Sequence, residues 1–484
     1  MKVNKLLSIA LLLVVALASC KKEETRPEIF SRINAEVLQN SKAYTTLEEA
    51  TSTIGHRLTG SENGKKAEEY TYTKFKEYGF DDVQYQEFET KAWSRGTIDV
   101  TIDGESVKAV TLGHAPVEAD VTGELIDMGN GLEADYAAAK PGVAKDKIVL
   151  IYISVLEGSP EGTRNLHRSE KTAIAIKHGA KGVVIFNQVD GGVLLTGTAS
   201  VTGELIPIPA ICIGKEKGFE LKEKLKAGKE VEVHIQMTNN SDLIKARNVI
   251  ATLKGSDLPD EKIIIGGHLD SWDLATGAID NGIGSFAILD IARAFKANKL
   301  QPKRTIQFVM FMGEEQGLLG STHMVREAVE KGTIENIKYM FNIDMGGNPI
   351  GVNAGGKLND TTFFKTIGEE IAAVDTLYKN RFGNRSGLHS DHQPFMLEGV
   401  PILSIIGNLD RSIYRCYHAD CDDFDLVNKD HITNTARFGT MILFALANAK
   451  TLPANKMDSE TTKQFMIDNN LEEPLRIAGD WKWD

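Results

Sequence analysis

The 484-residue chain has no block of basic residues beyond its N-terminus, and its formal net charge is −12. Nucleic acid is therefore disfavoured as a partner. Long apolar runs are scarce as well. The stretch from Leu6 to Ala18, behind Met1-Lys2-Val3-Asn4-Lys5, is too short to span a bilayer comfortably and reads as a signal peptide that is removed. Cysteine is rare, with four in the whole chain. Cys212, inside Ile208-Pro209-Ala210-Ile211-Cys212-Ile213, reads as a small buried hydrophobe. Cys416 and Cys421 bracket His418; in an oxidising compartment they could close a short disulfide loop, with two free thiols as the alternative. The chain is 42% hydrophobic, enough for a sizeable core, and its length suggests two or three domains.

What the chain does contain is a series of short apolar, β-rich runs between glycines and charged residues. Lys262-Ile263-Ile264-Ile265-Gly266-Gly267 leads into His268, Thr305 to Met312 leads into Gly313-Glu314-Glu315, and Lys338 to Ile343 leads into Asp344. Such runs are strands of a sheet covered on both faces. Between the first two, Gly284 to Phe295 is apolar at helical spacing. Strand, helix, strand implies a parallel sheet, whose ligand sites gather at the carboxyl ends of the strands. The expected fold class is α/β, a mostly parallel mixed sheet flanked by helices.

At those ends or flanks stand His268-Leu269-Asp270, Asp280, Glu314-Glu315, Asp344 and His418. Each has an ordinary structural explanation when taken singly. A Glu-Glu pair is usually solvated, an Asp after a strand is commonly a helix cap, and Asp280-Asn281-Gly282 would serve as a turn. Ligand-type residues at four independent strand or loop ends of one α/β unit are another matter. Zinc takes neutral imidazole nitrogen and carboxylate oxygen, and a catalytic site leaves a position open for water. Two histidines and three carboxylates serve two metals if one carboxylate bridges, which leaves Glu314 as a base and Asp270 as an orienter.

Gly267-His268-Leu269-Asp270-Ser271-Trp272, Gly277-Ala278-Ile279-Asp280-Asn281-Gly282, Glu314-Glu315-Gln316-Gly317, Asp344, and His418 followed by Asp422 resemble the motif series of the zinc exopeptidase family with two co-catalytic zincs, which includes aminopeptidases and carboxypeptidase Q. The likeness runs from about Ile33 to about Ala447. Within it, Ile54-Gly55-His56-Arg57-Leu58-Thr59-Gly60-Ser61 and His268 to Asp273 look most like carboxypeptidase Q. The resemblance implies a phosphorylase/hydrolase-like fold and two zinc ions, His268 and Asp344 holding one, Glu315 and His418 the other, and Asp280 bridging. It also implies that Asp270 accepts the second ring N–H of His268, that Glu314 is general base and acid, and that the peptide bond after Asp280 is cis. Tyr417 matches the position from which some relatives donate a phenol to the tetrahedral oxyanion. Packing is its equal alternative.

Between about Ala115 and Asn240 the ligand series is absent, and the texture changes to short β-rich runs with Gly turns. His178 to Ile185, after the helical Lys171 to Lys177 stretch, resembles a protease-associated domain, a small β-rich α+β core inserted into the catalytic one. It is expected to act as a lid that limits substrate length. The amphipathic stretch from Ala50 to Lys76 is expected to be helix packed on the sheet, its Gly55 to Ser61 segment resembling a loop near the cleft; His56 is not expected as a ligand. Ser386 to Phe395 resembles another loop beside the zincs, with Asp391 supporting the site and His389 and His392 as readily structural. Arg381, Arg385, Arg411 and Arg415 are candidates for clamping a substrate carboxylate.

Leu17-Ala18-Ser19-Cys20 resembles a bacterial lipoprotein box, which implies cleavage before Cys20, lipidation there, and a cell-envelope location on the outer membrane, periplasmic or surface face. Lys21-Lys22-Glu23-Glu24 reads as a solvated tether. The expected division is 1–20 leader and lipobox, 21–32 tether, 33–114 and 241–450 catalytic domain, 115–240 insertion, and 451–484 a tail for which the sequence offers no role. The expected activity is hydrolysis of dipeptides or short peptides, from either the amino or the carboxyl end. A homodimer is left open. The alternatives are a one-zinc glutaminyl cyclase-like acyltransferase and a non-catalytic receptor-like homologue.

Overall fold

The computed structural model describes residues 24–357 and 361–484. The leader, Cys20 and Lys21 to Glu23 lie outside the described residues. The strands are β1 (Asp82–Ile102), β2 (Glu105–Ser106), β3 (Ala109–Thr111), β4 (Glu118–Asp127), β5 (Ile148–Tyr152), β6 (Gly182–Phe186), β7 (Ala210–Ile213), β8 (Glu232–Leu253), β9 (Leu258–His268), β10 (Arg304–Phe311), β11 (Ile337–Asn342), β12 (Gly351–Asn353), β13 (Arg381–Gly383) and β14 (Ile402–Ile406). They hydrogen-bond in the order β13-β12-β14-β11-β9-β10-β8-β4-β5-β6-β7-β3, with β1 on β8 and β2 on β1.

The centre of the catalytic sheet is parallel: β10, β9, β11 and β14 run the same way. Ile263, Ile264 and Ile265 of β9 are all fully buried, as a central strand covered on both faces requires. The helices Arg26–Asn40, Ala43–Thr53, Ile283–Ala297 and Lys429–Ala447 cover one face. Leu319–Glu330, His392–Leu397 and the tail cover the other. Fully burying one Leu, Ile or Phe side chain is worth about 1.5–3 kcal/mol, so this double cover makes the strand ends a stiff platform.

β8 belongs to both parts of the molecule. Its Val249–Leu253 end pairs antiparallel with β10, its Glu232–Thr238 end pairs with β4, and β1 follows its other edge with one irregularity between Arg95 and Ile98. The smaller parallel run β4-β5-β6-β7, edged by antiparallel β3, thus grows from the same ribbon. Cys212 lies fully buried on β7.

The stretch from Ala50 to Lys76 is not one helix. The helix Ala43–Thr53 ends, residues 54–61 form a loop, and a second helix runs Glu62–Glu77 with Ser61 as its cap, accepting from Gly64 N at 3.0 Å. Gly55 and Gly60 take positive φ, which the helix interior does not permit. The tail is ordered: helices Ser459–Asp468 and Glu472–Ala478 bury Met466, Leu471 and Leu475, and Trp481 and Trp483 pack on the same apolar cluster.

Candidate metal centre

His268 is the last residue of β9; Glu314 and Glu315 follow β10, and Asp344 follows β11. Parallel neighbours end level, so three carboxylates and an imidazole meet above one sheet edge. Asp280 arrives from the turn before the helix Ile283–Ala297, and His418 from the loop after β14. His268 Nε2 lies 3.2 Å from Asp280 Oδ1 and 3.5 Å from Asp344 Oδ1. His418 Nε2 lies 2.9 Å from Asp280 Oδ2 and 3.0 Å from Glu315 Oε2. The two oxygens of Asp280 therefore face different histidines.

The turn that presents Asp280 is held from both sides. The Asp422 carboxylate accepts the N–H groups of Ile279 at 2.7 Å and Asp280 at 3.0 Å. Asn281, joined to Asp280 by a cis peptide, donates to Ile343 O at 2.9 Å and accepts from Met345 N at 3.0 Å. Arg57, fully buried, donates to the carbonyls of Leu269, Thr276 and Gly277 and so shapes the loop between His268 and Asp280. Asp344 Oδ2 accepts from Ser390 Oγ at 2.7 Å.

Burial alone would depress the His268 imidazole, but the charge of Glu314 and the contacts with Asp280 and Asp344 hold it well above its usual range. His418 is held up at about 9 against burial by Glu315 and Asp280. Glu314 is pushed well above the carboxylate range by burial and by the charges of Glu315, Asp344 and Asp391, with His268 opposing. Burial would raise Asp280, yet its bonds from both imidazoles keep it well below. Four carboxylates around two imidazoles carry surplus negative charge, which protons or divalent cations must balance. Two imidazole nitrogens and carboxylate oxygens are the donor set that suits zinc.

Asp270 is fully buried, and burial pushes its carboxyl to about 6. Its oxygens accept from Glu314 N at 3.2 Å and Thr59 Oγ1 at 3.1 Å. His268 Nδ1 lies 3.1 Å from the backbone carbonyl of Asp270 and 3.7 Å from its carboxylate, so the nearer acceptor is the main chain. Tyr417 stacks on His418 with centroids 3.9 Å apart, and it lines the cleft. Burial, and next the Asp280 charge, raise its phenol strongly. Asp391 is fully buried, and burial pushes its carboxyl to about 7 against the opposing charge of His268. His392 Nε2 lies 3.1 Å from Gly387 O, and His389 stacks on His167 of the insertion.

The proposed arginine clamp is not there. Arg381, Arg385, Arg411 and Arg415 are all exposed, and none lines the cleft of about 870 Å³ that opens onto the acidic cluster. Arg381 sits on β13 at the sheet edge, Arg385 and Arg411 lie on outer loops, and Arg415 lies in the short 3-10 turn Ile413–Cys416 with its side chain exposed. Two arginines line that cleft, Arg326 on the helix Leu319–Glu330 and Arg168 of the insertion, and it is Arg168 whose Nη2 lies 3.0 Å from His418 Nδ1. The insertion also grips this loop through its backbone. Thr196 N donates to His418 O at 2.9 Å, and Leu195 bridges to Ala419. Cys416 and Cys421 form a disulfide around His418. Sequence reasoning missed Arg168, Ser390 and Arg57 as parts of the site. The Gly55 to Ser61 loop carried a signal for Arg57; nothing local carried one for Arg168.

A metal-binding α/β sheet end beneath an inserted β-rich domain defines a zinc peptidase of the exopeptidase type. Residues 248–443 match Peptidase family M28 and residues 121–221 match the PA domain, the pattern of a zinc exopeptidase with a protease-associated insertion. The sequence is 26% identical over 421 residues to carboxypeptidase Q of Xenopus laevis, covering 84% of this chain and 86% of that one. A solved aminopeptidase from Aneurinibacillus sp. strain AM-1 matches at 27% identity and a TM-score of 0.64, covering 88% of this chain and 97% of that one. The Peptidase M28 precursor from Shewanella amazonensis SB2B shares the fold, with a TM-score of 0.75 at 24% identity over 89% of this chain and 99% of that one.

Proposed function

We propose that the chain is a two-zinc exopeptidase that hydrolyses dipeptides or short peptides. The observation that carries this reading is Asp280, whose Oδ1 and Oδ2 lie 3.2 Å from His268 and 2.9 Å from His418 respectively. His268 and Asp344 would hold one zinc, His418 and Glu315 the other, with Asp280 between them. Zinc bound there would supply Lewis acidity and lower the pKa of water to near neutrality. Glu314, which also lines the cleft, would take the proton of the attacking water and return it to the leaving amine. Asp270 fixes the backbone of Glu314, and the phenol of Tyr417 would donate to the oxyanion of the tetrahedral intermediate.

The test is a dipeptide panel with free, N-blocked and C-blocked ends, run on zinc-loaded protein alongside elemental analysis. Expected are two zinc ions per chain and turnover of unblocked dipeptides that chelation abolishes. A single zinc at full peptidase activity would remove the two-metal mechanism, and a single zinc without turnover of any dipeptide would favour the acyltransferase alternative. We also infer that residues 115–240 form a domain that walls the cleft, since Arg168, Ser200 and Thr202 line it opposite the sheet ends. Decapeptides added to the panel should be turned over at least about tenfold less efficiently than dipeptides, because a wall that costs about 1.4 kcal/mol of binding gives that factor; equal efficiency would remove the wall.

For the N-terminus we propose lipidation at Cys20 and a place in the cell envelope, on the strength of Leu17-Ala18-Ser19-Cys20. Cys20→Ser should move the protein from the membrane to the soluble fraction, because the lipid needs the thiol. An unchanged membrane fraction would contradict the anchor.

A further inference from the structure

Five arginines are buried among the described residues: Arg57, Arg168, Arg293, Arg304 and Arg437. Four are paired with oxygen acceptors. Arg57 reaches three carbonyls, Arg293 binds Asp290 and Glu36, Arg304 binds Glu261 and Ala449 O, and Arg437 binds Asp375, Asn34 and Asn434. Arg168 is the exception. Its exposure is 6%, its Nε has no partner, and its one hydrogen bond is to the ring nitrogen Nδ1 of His418. No carboxylate among the described residues lies within 4.0 Å of its guanidinium.

A buried cation without an anion is costly, by several kcal/mol in general. The position is nonetheless built for it. Gly197 gives the guanidinium its space, since a Cβ there would stand 1.7 Å from Nη2. Arg168 lines the same cleft as Glu314, Tyr417 and His418. The bond to His418 is also conditional: an imidazole that ligates through Nε2 keeps its proton on Nδ1, which then donates and no longer accepts. With zinc on Nε2, Arg168 has no protein acceptor at all.

We propose that Arg168, supplied by the inserted domain, is the anchor for the carboxylate at the C-terminus of the peptide substrate. The inference rests on the exopeptidase reading and narrows it. A guanidinium binds a carboxylate through two parallel N–H donors, and an ammonium at the same place would be repelled. The residue next to Arg168 in the bound peptide is therefore the carboxyl-terminal one, and the chain requires a free carboxyl end.

The test compares one dipeptide as free acid, the same dipeptide as its C-terminal amide, and an amide whose last residue is Asp or Glu. The wild type should favour the free acid by about 10–100-fold in kcat/KM, the range expected for hydrogen bonds to a charged group. Arg168→Met should erase that preference through KM for the acid, leave the amide rate within a few-fold, and keep the zinc content; Arg168→Lys should restore part of it. Indifference of the wild type to the amide overturns the anchor. So does loss of acid and amide turnover together, or loss of zinc, in Arg168→Met, since both mark a residue that serves His418 alone. Equal use of the acidic side-chain amide would assign the carboxylate to a side chain and overturn the terminal assignment. Calorimetric binding of acid and amide to Glu314→Gln reads the anchor without turnover. A peptidase reading that failed would thus leave the anchor separately measured.

Discussion

Glu314→Gln should bind zinc as the wild type does and turn over peptides about 10²–10⁴-fold more slowly, the usual worth of a positioned general acid–base. The amide is nearly isosteric with the carboxylate but cannot accept the proton of water. Glu314 carries no hydrogen bond that zinc retention needs. Its backbone N–H donates to Asp270, and that bond survives the substitution. The neighbouring residue separates the two roles. Glu315 lies buried, with Oε2 at 3.0 Å from His418 Nε2, so Glu315→Gln should weaken zinc binding before it alters the chemistry. Single-turnover rates and zinc content measured on both variants decide the assignment. A Glu314→Gln protein with intact zinc and more than half the wild-type rate would remove Glu314 from the base role.

The catalytic sheet was legible because its signals are local. Three isoleucines in β9 and the apolar runs of β10 and β11 announce strands buried on both faces, and a level parallel edge follows from the helix between the first two. The residues brought together at that edge were legible for the same reason: they directly follow the strands. Asp280 and His418 come from loops, so their residue types made them candidates, and the motif resemblance assigned each its place among the ligands. The arginines went wrong because sequence shows where charge is but not which way a loop faces. Arg381, Arg385, Arg411 and Arg415 are near the site in sequence and point to solvent. Arg168 is 250 residues from His418 and touches it, through an insertion whose own texture gave no hint of polar work. The break at residues 54–61 has a similar origin. Hydrophobic spacing on either side resembles one helix, while the loop is fixed by Arg57 gripping carbonyls more than two hundred residues away.

Asp280→Ala should cost both zinc ions where Glu315→Ala or Asp344→Ala costs chiefly one. Asp344 lies 3.5 Å from His268 and Glu315 lies 3.0 Å from His418, with a Glu315 oxygen also within 4.8 Å of a His268 nitrogen, whereas Asp280 makes close contacts with both imidazoles, at 3.2 and 2.9 Å. Removing it leaves each half of the centre with one imidazole and one carboxylate, below the three protein ligands of an ordinary catalytic zinc. The two halves would also lose the negative charge that lies between two cations, so their mutual repulsion would oppose binding of the second ion. Stability gives an independent readout. A ligand at 1,000 times its Kd stabilises the folded chain by about 4 kcal/mol, so a chelator should lower the Tm of the wild type and leave that of Asp280→Ala unmoved. The substitution itself is tolerated by the fold, because the turn is held by backbone bonds to Asp422 and by Asn281, neither of which uses the Asp280 carboxylate. Elemental analysis that still finds two zinc ions in Asp280→Ala would rule out the bridge and with it the two-metal centre drawn around it.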